Sequence, residues 1–182
     1  MMNAIGVIES SSIAKGFEIC DAMAKASLVT ILEAAPICPG KYMIIIGGLV
    51  ADVTHSIQTG VEIAGSLQID HLIIPNIDPQ VFAAINRTSE IGRVDALGIL
   101  ETYSVAAGIS VADIAVKAAA VDLIEVRLSR GMGGKAFVLM TGTVADVTAA
   151  VDAASETVST GGLLAAKTVI PSPHPDMIRY LY

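Results

Sequence analysis

Apolar positions change spacing along this chain in a regular way. Residues 3–9, "NAIGVIE", are rich in β-branched side chains and predict a first strand. Ser12 then offers an N-cap, and Ile13, Phe17, Cys20 and Ala24 recur at steps of four, three and four, the spacing of one helix face. Residues 28–34, "LVTILEA", predict a second strand and residues 41–48, "KYMIIIGG", a third. Asp52 is expected to cap a helix that carries Val53, Ile57, Val61 and Ala64. Residues 70–75, "DHLIIP", predict a fourth strand, and residues 79–87, beginning at Pro79, a short closing helix. The order is β-α-β-β-α-β-α, whose first six elements are those of the split βαβ, ferredoxin-like arrangement.

The same pattern then runs a second time. Ala4, Gly6, Glu9, Ser12, Gly16, Lys25 and Ala26 fall on Ala96, Gly98, Glu101, Ser104, Gly108, Lys117 and Ala118 at an offset of 92. "GKYMIIIGGLVADV" lies beside "GKAFVLMTGTVADV" at an offset of 94, so the second copy has gained two residues before this loop. "IPNIDP" matches "IPSPHP" at 96. The copies join near residues 89–95, "SEIGRVD", which divides the chain into domains 1–91 and 92–182. The fold class is therefore α+β, with two tandem ferredoxin-like units, each βαββαβ plus a C-terminal helix.

Composition narrows the function. The 182 residues are 53% hydrophobic and 16% charged, with no tryptophan, and the mean hydropathy is +0.68. Such a chain has little charge with which to solvate a large surface, so part of that surface is expected to lie against neighbouring subunits. The longest apolar run, residues 42–51, is shorter than the ~20 residues that span a bilayer. No secretory pattern opens the chain, and the expected compartment is the cytoplasm. A net charge of −7 argues against a nucleic-acid partner. No nucleophile or acid–base constellation is legible, so an enzyme is not expected. The three histidines, His55, His71 and His174, have no metal-pair spacing. "GMGGK", residues 131–135, lacks the full phosphate-loop spacing, and Ala136 stands where a magnesium-binding Ser or Thr would be needed.

The loop between the second and third strands is where the copies differ most. The first reads Cys38-Pro39-Gly40-Lys41 and the second Met132-Gly133-Gly134-Lys135. Pro36 and Pro39 stiffen the first, and the glycines free the second. Cys20, on the apolar stripe, is expected in the core.

"AIGVIE" and "ALGILE" at each first strand, "DAMAKAS" and "DIAVKAA" on each first helix, the glycine-rich loops before "GKYMII" and "GKAFVL", the paired "VADV" and the late "VIPSPHP" together resemble the bacterial microcompartment (BMC) shell family, over essentially the whole chain. The resemblance implies a structural shell protein in the cytoplasm, built as a homotrimer that looks like a hexamer and meets other shell proteins. "ICPGK" is similar to the branch of tandem-domain shell proteins from propanediol-utilisation compartments that carries an iron–sulfur cluster in its central pore. That branch implies Cys38 as ligand of one [4Fe–4S] cluster per trimer, for electron transfer or cluster delivery across the shell, with a luminal or cytosolic redox enzyme as partner. A second cysteine found after "GGK" in some members is absent here, where Ala136 stands. Pro39, Gly40, Lys41, Met132, Gly133 and Gly134 are expected to line the pore, and Lys25 and Lys117 to lie at the edge where tiles meet. Two alternatives stay open: a cluster-free tile whose pore passes small metabolites, and a ferredoxin-like trimeric regulator that binds a nucleotide or metabolite.

Overall fold

The computed structural model describes residues 3–181. Two four-stranded antiparallel sheets are present, with orders β2-β3-β1-β4 and β6-β7-β5-β8. The first comprises β1 (Ala4–Ser10), β2 (Thr30–Ile37), β3 (Lys41–Gly48) and β4 (Gln68–Pro75); the second comprises β5 (Ala96–Thr102), β6 (Val121–Leu128), β7 (Ala136–Gly142) and β8 (Leu164–Ile170). The helices are α1 (Ile13–Ala26), α2 (Val50–Ala64), α3 (Pro79–Asn86), α4 (Val105–Ala118), α5 (Val144–Ser159) and α6 (Pro175–Ile178). This is the ferredoxin-like order expected for each copy. Even the bulges repeat. Register shifts fall between Ile31 and Glu33 and between Leu123 and Glu125, which are 92 residues apart.

The chain divides into two compact units that exchange short segments. One contains residues 1–77, 104–106 and 129–134; the other contains 78–103, 107–128 and 135–182. The closing helix of the first sequence copy, α3, packs along β6 in the second unit.

In the first unit β1 is buried along its whole length, and Ile8, Ile44 and Ile46 meet Ile19, Met23, Val53 and Ile57 from α1 and α2. The sheet and helices approach closely because Gly6 has no side chain. A Cβ there would lie 2.6 Å from Ile57 Cγ1. In the second unit, Gly98 plays the same part against Val147 of α5, at 2.8 Å. A further cluster of Leu97, Ile124 and Leu139 is covered by Ile91, Val94 and Met177.

Three local expectations change. The buried face of α1 is Gly16, Ile19 and Met23, while Ile13 and Phe17 are exposed. Both faces have helical spacing, and Gly16 decides between them by letting the helix close on Tyr42, whose ring would lie 2.3 Å from a Cβ at that position. Cys20 accordingly is half-buried at the margin of the core rather than inside it. Asp52 does not cap α2: the helix starts two residues earlier at Val50, and Asp52 sits in its first turn, where a negative charge still favours the helix dipole. Strand β2 runs on to Ile37 and includes Pro36, which an edge strand tolerates because its missing N–H need not join a ladder.

Candidate metal centre

Because β2 continues to Ile37, the turn that carries the thiol is short. Ile37 pairs with Lys41, leaving Cys38, Pro39 and Gly40 as the connection. Gly40 has φ +81°, closed to most side chains, and its N–H donates to the Ile37 carbonyl at 3.1 Å. The Cys38–Pro39 peptide is cis. Cys38 is a free, half-buried thiol, and Pro39 and Gly40 are exposed.

The corresponding segment of the second copy, residues 129–134, lies in the same compact unit and packs on this turn. The Cys38 N–H donates to the Ser129 carbonyl at 3.0 Å. Ser129 is buried, and its hydroxyl donates to the Gly134 carbonyl at 2.9 Å, closing the second loop on itself. Gly134, at φ +91°, lies so close that a Cβ would sit 3.1 Å from Pro39 Cδ and 3.3 Å from the Cys38 carbonyl oxygen. Gly131 and Gly133 have no such neighbour. Ile13, Pro36, Cys38, Pro39, Arg130 and Gly131 line an open groove beside the thiol. Arg130 is ion-paired with Glu33 of β2.

The expected ligand Cys38 and, of the expected pore residues, Pro39, Gly40, Lys41 and Gly134 thus adjoin one another. Met132 is half-buried and Gly133 exposed on the same loop. Lys25 and Lys117 are exposed, and each pairs with the aspartate four residues before it, at 2.6 Å to Asp21 and 2.5 Å to Asp113. Among the described residues no group of three or more His, Cys, Asp or Glu side chains converges. Cys20 stands apart on α1, where burial and then the neighbouring Asp21 push its thiol pKa up.

Sequence reasoning missed what anchors the loops. Lys41 Nζ reaches Glu9 at 3.5 Å, and Lys135 Nζ reaches Glu101 at 3.0 Å. The repeat contained this signal, since both the glutamates and the lysines are paired positions of the two copies. The Glu9 carboxylate is fully buried and accepts from the Ala106 N–H, in the first turn of α4, at 3.0 Å. Burial pushes its pKa up, while the Ala106 amide and then Lys41 pull the other way. Ser129 and Arg130 carry no motif and were not legible.

A profile of the BMC domain matches residues 4–77 and again 96–173. The bacterial microcompartment shell protein PduT of Citrobacter freundii is 45% identical over 181 residues, covering 100% of this chain and 98% of that protein. The shell protein EutM of Salmonella typhimurium is 38% identical over 84 residues, which is 46% of this chain and 85% of EutM. A crystal structure of a microcompartment protein from Desulfitobacterium hafniense superimposes with a TM-score of 0.89 at 46% identity, over 98% of this chain and 99% of that one. No helix among the described residues is long and apolar enough to cross a membrane. The duplicated sheet-and-helix unit, matched twice and along its full length, makes this chain a member of the BMC-domain family of microcompartment shell proteins.

Proposed function

We propose that this shell protein assembles as a homotrimer whose central pore holds one [4Fe–4S] cluster through Cys38 of each copy. The observation that carries the reading is the setting of Cys38. A free thiol stands on a three-residue turn, fixed by Ser129 and Gly134, beside an open groove.

The donor set fits a shared cluster and not a private one. One chain offers a single thiol there, whereas a [4Fe–4S] cube takes four ligands. Threefold symmetry supplies three from Cys38 alone, and the fourth iron is left to water, a small molecule or an outside ligand. When bound, such a cluster supplies one-electron transfer across the shell. The chain's own contribution is positional. Pro39 and Gly40 hold the thiol out, the Met132–Gly134 segment supports it, and the Glu9–Lys41 pair anchors the root of the turn. Lys25 and Lys117 then face neighbouring tiles, and a redox enzyme is the partner on one side of the shell.

The test is anaerobic iron–sulfide reconstitution of wild type and Cys38→Ser, read as broad visible absorption and as iron bound per trimer. Absorption in wild type alone is expected. Equal absorption in both would sink the cluster, and an iron-free wild-type trimer would favour a pore for small metabolites.

A further inference from the structure

The second copy carries a charge arrangement that the first lacks. On β6, the Glu125 side chain is 8% exposed and accepts from two guanidiniums. Arg127 grips it as a fork, with Nε 2.8 Å from Oε1 and Nη2 2.9 Å from Oε2. Arg87 approaches from the end of α3, with Nε 2.6 Å from Oε1. One carboxylate between two permanent cations leaves a surplus positive charge, in a chain whose net charge is −7. Neither arginine pairs with another carboxylate among the described residues. Nor does the Nη1 group of either make a hydrogen bond among them.

The repeat shows that this arrangement is no requirement of the fold. Glu33 matches Glu125 at the offset of 92, but Ala35 stands where Arg127 does. Met43 matches Phe137 at the offset of 94. The Arg127 guanidinium lies over the Phe137 ring, 5.0 Å from its centre. Arg87 ends α3 in the left-handed conformation, at φ +56° and ψ +39°. Glycine is the usual residue at such a helix end, so an arginine there points to a task for its side chain. Arg87 and Arg127 line a pocket of about 160 Å³ together with Ile124, Tyr180 and Leu181. These residues all belong to the second compact unit. The pocket is smaller than the roughly 300–1,000 Å³ that larger ligands occupy, which selects a small molecule.

We propose that this pocket binds a small organic oxyanion, a carboxylate or phosphate group on a short apolar body, through Arg87 and Arg127. A planar guanidinium matches both groups in shape and charge. Glu125 orients the two forks, and the Phe137 ring backs Arg127. Ile124, the Tyr180 ring and Leu181 receive the apolar body. Ser89, which also lines the pocket, adds a hydroxyl donor. No residue of the Cys38 turn takes part, so the inference stands apart from the cluster reading.

Saturation-transfer difference NMR on the full chain tests it, with butyrate and methyl phosphate as probes and butylammonium as the cationic control. Saturable transfer to the protons of at least one anion, at millimolar concentration, is expected, and none to butylammonium. The two anions tell a carboxylate site from a phosphate site, and binding of either supports the proposal. Arg87→Gln and Arg127→Gln are each expected to weaken binding about tenfold or more, with unchanged far-ultraviolet circular dichroism. Ser89→Leu narrows the pocket and leaves the charges in place; it is expected to weaken binding too, and it serves if an arginine variant fails to fold. Absence of transfer to both anions overturns the site. Transfer that the folded variants leave unchanged, or equal transfer to butylammonium, overturns it as well.

Discussion

At Glu9 the fold buries a carboxylate that the end of a strand would ordinarily leave in water. Its partners, the Ala106 amide and the Lys41 ammonium, hold the loops around Cys38 in place. Burial nevertheless raises its pKa above the ordinary 4.5, so the folded state binds a proton more readily than the unfolded state. The sign follows from linkage: this contribution to stability is fully present below pH 4.5 and is lost as pH rises through the higher folded value. Urea unfolding of Glu9→Gln across that window is expected to show less loss of stability with rising pH than wild type; parallel curves would contradict the assignment. Glu9→Ala should cost about 1–3 kcal/mol at neutral pH, because the Ala106 N–H and Lys41 lose their acceptor. Gly134 poses the complementary question. Its φ of +91° is one that side chains rarely adopt, and a methyl group there would press on Pro39 Cδ at 3.1 Å. Gly134→Ala is expected to keep the circular dichroism of wild type and lose most of the reconstituted iron absorption. Full absorption would show that the second loop does not position the thiol.

Among the elements, the glycines matched between copies mark where helix and sheet touch. A Cβ at Gly98 would sit 2.8 Å from Val147 Cγ1 and 2.9 Å from Met140 Cγ. Gly98→Ala is expected to destabilise by about 1–3 kcal/mol, since a packed core yields little. Gly92→Ala, with nothing within 4 Å of its Cβ, should change stability by less than about 0.5 kcal/mol. Thermal unfolding of the pair checks both, and equal midpoints would refute the packing argument. The fold was legible because the β-branched runs and the helical spacings occur twice in the same order. The face of α1 was not legible. Ile13, Phe17 and Cys20 have the same spacing as Gly16, Ile19 and Met23, and only the contact of Gly16 with Tyr42 separates them. Cys38 stood out by its prolines and by the mismatch between copies. The Ser129 carbonyl that holds its amide could not be read, because a backbone acceptor leaves no mark in a sequence.

For the whole molecule, duplication within one chain makes the two copies free to diverge. The first keeps the stiff, thiol-bearing turn; the second keeps the glycine loop. A hexamer of identical single units would place six equal loops around its axis. The proposed trimer of this chain would alternate two kinds and bring three Cys38 thiols toward one point, which is the central claim. The most direct measurement is an iron anomalous-difference map from crystals grown anaerobically after reconstitution. A single peak on the threefold axis, bounded by the three Cys38 sulfurs, is the predicted result. An axis without iron, in crystals whose mother protein carries iron elsewhere, would contradict it.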